Sequence, residues 1–407
     1  MSRVEPVARL KRGVADLSSD GRGRVLLVIA AGWFLSIGVR MVYPALLPYV
    51  RETYGLTLTT SGLLLTVLWT AYALGQLPGG ILADRLGEGR IMVLSSVIAA
   101  LTLAVVVLAG SPTVLFAATA LFGFGTALYG IARFTALADI YPEQVGAATG
   151  VTMAAGDAGN SLLPPLAVLF AVSLGWQFGF GVTIPLFVLI AVGLWVVVPA
   201  RTSDPNRAVE TVSLESGRLV LTEVRRSPIV LATTILVIGS CIWQAVTGFY
   251  PTYLIEMKGV SPTVAAGLFG LFFAVGIAIK PLAGGTYDRV GARRSLVTII
   301  AVIAVALALV PFVQGFWPLV GATVLLSSLL GYATIALSYL TATLSEEVRG
   351  TSLGTLRTVY TLIAATSPAA FGAVADAGFF DEGFFVLAAM AGVMVLVALR
   401  LPERSGA

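Results

Sequence analysis

The chain has 407 residues, 57% hydrophobic and 11% charged, with a mean hydropathy of +0.95. A soluble domain is about a quarter charged, so this composition excludes a water-soluble globule and leaves lipid as the main solvent. The absence of His and the single cysteine, Cys241, exclude His metal sites, imidazole bases, a Ser–His–Asp triad and an intrachain disulfide.

The first 24 residues are polar and basic, with no apolar core before a small-residue cleavage site, and read as a cytoplasmic tail. Apolar runs follow, each long enough to cross about 30 Å of hydrocarbon as a helix. They are expected at 25–50, 59–82, 91–109, 113–138, 145–169 and 176–198, then at 229–254, 262–286, 295–313, 318–343, 351–375 and 382–400. The polar stretch 199–228 is the one long connection, so the expected fold is all-α integral membrane. It has twelve spans in two pseudo-symmetric six-helix bundles, 25–198 and 229–400, and a C-terminal tail at 401–407.

Basic residues set the expected orientation. With the N-terminus inside, nineteen of the 25 Lys and Arg fall on cytoplasmic segments and only Arg51 and Lys258 on outer loops. That is a positive-inside pattern, predicting a cytoplasmic membrane protein with both termini inside. The net charge of +4 is accounted for by this anchoring, with no need of nucleic acid.

A shift of 204 residues superposes the halves at several points. Gly80, Asp84 and Arg85 fall on Gly284, Asp288 and Arg289, and Gln76 falls on Lys280. Gly146 and Gly150 fall on Gly350 and Gly354, and Pro164 on Pro368. Parallel six-helix repeats with a midplane site between them are a transporter architecture. The small-xxx-small pairs read as sites of close helix approach. Pro44, Pro48, Pro164, Pro165, Pro281 and Pro368 are expected to kink their spans.

The segments Gly80–Arg90 and Gly284–Arg294 both resemble the G-x-x-x-D-R-x-G loop of the major facilitator superfamily. The resemblance spans the whole chain and implies alternating access, with Gly80, Asp84, Arg85, Gly284, Asp288 and Arg289 as cytoplasmic latches. Glu88 stands where that family usually has a basic residue, which implies a weaker first latch. The stretch Arg40–Asp84 is similar to the anion:cation symporter branch, which carries organic anions and phosphate and has an intramembrane Arg on span 1; the acidic residue usual before that Arg is Val39 here. Gly156-Asp157-Ala158-Gly159-Asn160 is faintly similar to the nitrate/nitrite porter signature, although Gln76 stands where that group has an Arg.

Five charges lie in span interiors, away from the helix ends: Arg40, Arg133, Asp157, Lys280 and Arg357. Each costs about 2.5–3.5 kcal/mol on insertion scales. None falls within spans 3, 6, 9 or 12, which the family places outside the cavity. Four cations against one carboxylate point to an anionic substrate, a carboxylate or other oxyanion, gripped by Arg40 with Arg133, Lys280 or Arg357. Gln76, Gln244 and Asn160 are candidate ligand-orienting residues, with Tyr43, Tyr72 and Tyr360 as accessories. Asp157 is the candidate proton-coupling group, or it neutralises Arg133 or Arg40. Arg133 equally reads as a snorkelling or gate residue near its span end. Trp and Tyr near span ends read as an interfacial belt.

No phosphate loop, metal cluster or nucleophile–base pair is visible, so neither an enzyme nor a cofactor is expected. The reading is an ion-coupled, H+-linked secondary transporter of a small anion, working as a monomer in the bilayer. Proton-driven efflux of hydrophobic drugs or metabolites is the alternative within transport. A non-transporting membrane sensor is the alternative outside it.

Overall fold

The computed structural model describes residues 22–203, 222, 224–345 and 349–402. The expected N-terminal tail before residue 22, most of the 199–228 linker and the chain after 402 lie outside the described residues. The described chain is helical and contains twelve helices long and apolar enough to span a membrane. In chain order they are α1 (Arg22–Tyr54), α2 (Leu58–Leu86), α3 (Glu88–Val107), α4 (Pro112–Ile140), α5 (Val145–Leu174) and α6 (Trp176–Val197). The second set is α7 (Ser227–Glu256), α8 (Pro262–Val290), α9 (Ala292–Phe312), α10 (Phe316–Thr343), α11 (Gly350–Asp376) and α12 (Phe380–Leu399). Helices satisfy every backbone polar group within the segment, which hydrocarbon requires.

Local chemistry sets the helix ends. Ser111 and Ser261 each accept the amide of the residue three ahead, Val114 and Val264, and each precedes a proline in the first turn. The 204-residue repeat is written in the backbone as well. Gly55 and Gly259 have φ of 62° and 65°, and Gly87 and Gly291 have φ of 98° and 82°. Only glycine takes this conformation without strain.

Gly87 and Gly291 also correct the expected loops at 83–90 and 287–294. Helix α2 runs through Asp84 and Arg85 to Leu86, and α8 runs through Asp288 and Arg289 to Val290. The intervening residues are helix-compatible, so each helix continues until a glycine reverses it. The segments expected to act as latches are therefore helix ends, with Asp84, Arg85, Asp288 and Arg289 all exposed.

Glu88 is fully buried at the start of α3. It accepts from the Thr202 amide at 2.9 Å and hydroxyl at 3.0 Å, and from the Ser203 amide at 3.4 Å. The Arg201 guanidinium donates to the Arg85 carbonyl at 2.5 Å, and a Cβ on Gly89 would stand 2.1 Å from the Pro199 carbonyl oxygen. Glu88, where a basic residue is usual in the family, thus anchors the segment leaving α6. At the neighbouring end, the Tyr141 hydroxyl donates to the Arg22 carbonyl at 2.5 Å, and burial raises the phenol pKa.

Among the described residues Gly146, Gly150, Gly350 and Gly354 are not close-approach sites: a Cβ on any of them would meet none of these residues within 4 Å. Other glycines hold the tight contacts, among them Gly38 against Gly159 and Gly62 against Pro368. One of the expected prolines, Pro368, lies at a helix break, and another break has no proline in its interior. Chain continuity holds through Pro44 and Pro48 in α1, while α11 breaks at Thr366 just before Ser367-Pro368. Helix α10 breaks without an interior proline, through a 3-10 turn at Ser327–Leu330. There Thr323 and Ser327 hydroxyls bond back to Leu319 and Thr323 carbonyls, a pattern that bends helices.

The chain separates into two compact units. One contains the residues up to Val42 and from Ala71 to the linker; the other contains Tyr43–Thr70 and the chain after the linker. The boundary falls inside α1 and α2, so the ends of those helices nearest Gly55 belong with the second unit. In the first unit α3 packs on α4 and α6; in the second α7 packs on α11 and α12, and α9 on α12.

Candidate substrate-binding site

In the first unit the middle of α1 is pressed onto α5 through small residues. A Cβ on Gly38 would stand 2.7 Å from the Gly159 backbone, and one on Gly159 would stand 2.2 Å from the Phe34 carbonyl oxygen. One turn along, a Cβ on Gly156 would stand 2.4 Å from Trp33 Nε1. The glycines let the indole lie against the α5 backbone. Tyr129 of α4 stacks on the same indole, centroids 6.5 Å apart, and its hydroxyl donates to the Ile29 carbonyl at 2.8 Å.

Two arginines gather around this indole. Arg40 is 1% and Arg133 is 0% exposed. The Arg40 Nε donates to the Ser36 carbonyl at 3.0 Å, and its guanidinium carbon lies 3.9 Å from the Tyr72 ring centre and 5.6 Å from that of Trp33. Arg133 lies 3.9 Å from the Trp33 ring centre and 4.2 Å from that of Phe134, and donates to the Thr152 hydroxyl at 3.2 Å. Each desolvated cation–π contact contributes about 2 kcal/mol, so aromatic faces offset part of the cost of burying both charges. Both guanidinium groups are held in place by these contacts.

Arg133 does not snorkel; it is wholly enclosed. Tyr72, an accessory candidate, is a direct partner of Arg40. Asn160 is buried one residue past Gly159, and its Oδ1 makes no hydrogen bond among the described residues; nor do Trp33 Nε1 and the Ser36 hydroxyl. Such buried orphans each cost about 1–3 kcal/mol. Gln76 and Asp157, both half-buried, belong to the same unit.

The remaining candidates lie in the second unit. Gln244 is buried, Lys280 and Tyr360 are half-buried, and Arg357 is exposed. Tyr43 is buried there. Trp243, beside Gln244, meets Trp69 edge-on at 5.5 Å.

Sequence reading missed Trp33, Tyr129, Phe134 and Thr152. The signal was available: Trp33 and Arg40 are seven apart, two turns along one helix face, and Tyr129 and Arg133 are four apart. Assigning Trp to the interfacial belt hid it, since Trp33 sits eleven residues inside α1.

The architecture and the whole-chain motif agree with a sequence match to the Major Facilitator Superfamily at residues 28–303 and again at 258–407. This chain belongs to the major facilitator superfamily. It is a multi-pass membrane transporter fold. It is 29% identical to the 2-nitroimidazole transporter of Escherichia coli over 71% of this chain and 73% of that one. It is 24% identical to a probable sulfoacetate transporter of Cupriavidus necator over 93% of each chain. It is 26% identical to the cis,cis-muconate transport protein of Acinetobacter baylyi over 87% of this chain and 88% of that one. These relatives are transporters, not enzymes.

Gly156→Ala is expected to displace the indole of Trp33 and with it Arg133 and, if these form the site, to reduce substrate exchange about tenfold, within the roughly 1–3 kcal/mol of an overpacked contact, while the protein still inserts. Gly150→Ala, with open space for its Cβ, is the matched control. Exchange measured in proteoliposomes would contradict the assignment if both variants matched the parent.

Proposed function

We propose that this protein is an ion-coupled transporter of a small organic anion, with Arg40 and Arg133 as the anion-recognising pair. The observation that carries the reading is the pair of fully buried guanidiniums around Trp33. An Arg fork matches a carboxylate or sulfonate bidentately, and a stacked fork loses little entropy on binding. Two relatives spanning most of the chain are named for sulfoacetate and muconate, both small acids. Asn160 and Ser36 supply polar atoms for orientation and Gln76 is a further contact in the same unit; Lys280, Arg357 and Gln244 are the candidate substrate-binding residues of the second unit. The six-plus-six arrangement and both latch motifs serve alternating access, in the cell membrane, with both termini cytoplasmic.

Asp157 is the proposed proton-coupling group. In proteoliposomes, Asp157→Asn is expected to retain anion counterflow but lose accumulation driven by a pH gradient. Loss of neither, or of counterflow as well, overturns the coupling role.

A second reading, export of small heteroaromatic compounds, has the aromatic sheath and the 2-nitroimidazole relative in its favour. Counterflow of 2-nitroimidazole without counterflow of sulfoacetate or muconate would replace the anion reading with this one.

A further inference from the structure

We propose that the crevice between the start of α3 and the end of α6 binds one anionic phospholipid, with its phosphate at Arg90 and an acyl chain along Val93, Leu194 and Val198. The crevice encloses about 330 Å³ and is lined by these residues with Gly89, Trp195 and Ala200. Small-ligand sites begin at about 300 Å³, which accommodates a phosphate and its glycerol.

Three observations give it a lipid's chemistry. Its mouth carries Arg90, exposed, its guanidinium without a hydrogen bond or ion pair among the described residues. Beside it stands Trp195, 72% exposed, near the end of a membrane span, where an indole meets headgroups. Its floor is apolar and continues down two membrane helices. A soluble phosphate would meet only the mouth, whereas a phospholipid satisfies cation and apolar wall together.

The walls are also fixed. Arg90 N donates to the Ala200 carbonyl at 3.3 Å, and a Cβ on Gly87 or Gly89 would collide with the backbone at 199–200. Glu88 is absent from the lining, its carboxylate held by Thr202 and Ser203. The crevice is therefore built before any lipid arrives, and its exposed cation is Arg90. Arg85 and Arg201 add positive charge at the same end.

Native mass spectrometry of the purified full chain tests this, using phosphatidylglycerol, phosphatidylcholine and glycerol phosphate as probes. The parent protein is expected to retain one phosphatidylglycerol in preference to phosphatidylcholine, and no glycerol phosphate. Arg90→Gln is expected to lower that preference about fivefold, one basic residue's contribution at a membrane surface. Trp195→Ala is expected to weaken retention of both lipids. Unchanged preference in Arg90→Gln, with an unaltered melting temperature, overturns the proposal. Retention of glycerol phosphate overturns the lipid assignment in favour of a soluble phosphate ester.

Discussion

Arg40→Ala is expected to reduce anion exchange in proteoliposomes by roughly 10- to 150-fold, the loss of about 1.5–3 kcal/mol of hydrogen bonding to a charged group. The decisive comparison is Arg40→Lys. Lysine keeps the charge but has no planar fork to donate from Nε to Ser36 while lying on the Tyr72 ring. It is therefore expected to recover little activity. Arg40 sits four residues before Pro44, whose missing N–H leaves the Arg40 carbonyl without its helical partner. The substitution thus acts where α1 is already weakened, and correct folding must be checked by melting temperature. Full activity in a folded Arg40→Ala variant would remove Arg40 from the site; recovery by lysine would make charge alone the determinant.

The second large effect is expected at Asp376. Its carboxylate accepts the Leu58 amide at 3.0 Å, the Thr59 amide at 3.4 Å and the Thr59 hydroxyl at 2.8 Å, capping the start of α2 from the end of α11. Arg51 pairs with Glu256 within the same unit, and Gly62 lies against the Pro368 backbone. Together these contacts fasten Tyr43–Thr70 within the second unit. Losing a cap costs about 0.5–2 kcal/mol. Asp376→Ala is expected to speed hydrogen exchange at Leu58 and Thr59 by about 2- to 30-fold, without a matching change at the start of α4. Unchanged exchange there would show that the cap contributes nothing to holding α2.

How much could be read before the structure depends on the range of the force involved. The twelve spans are written in composition, because every run of about 20 apolar residues must become a helix in hydrocarbon. The 204-residue repeat was legible for the same reason, and it reappears in the paired backbone angles of Gly55 with Gly259 and Gly87 with Gly291. Arg40 stood out because a mid-span charge is costly wherever it points. Local rules failed where the partner came from another helix. Gly146-xxx-Gly150 has the spacing of a packing motif but no neighbour to pack on among the described residues, while Gly156, outside any small-xxx-small pair, holds Trp33. Glu88 looked like a defect in a motif until residues 202–203 closed on it.

The sequence by itself therefore determined that this chain lives in lipid, crosses it twelve times and carries a few costly charges. Hydropathy and charge act on each segment independently of the rest. Only the tertiary structure decided what those charges touch. Arg40 and Arg133 are 93 positions apart yet share one indole, because glycines on α1 and α5 bring the backbones close enough for Trp33 to reach both. Contacts of that kind depend on which helices pack and at what register, and no single segment contains that information.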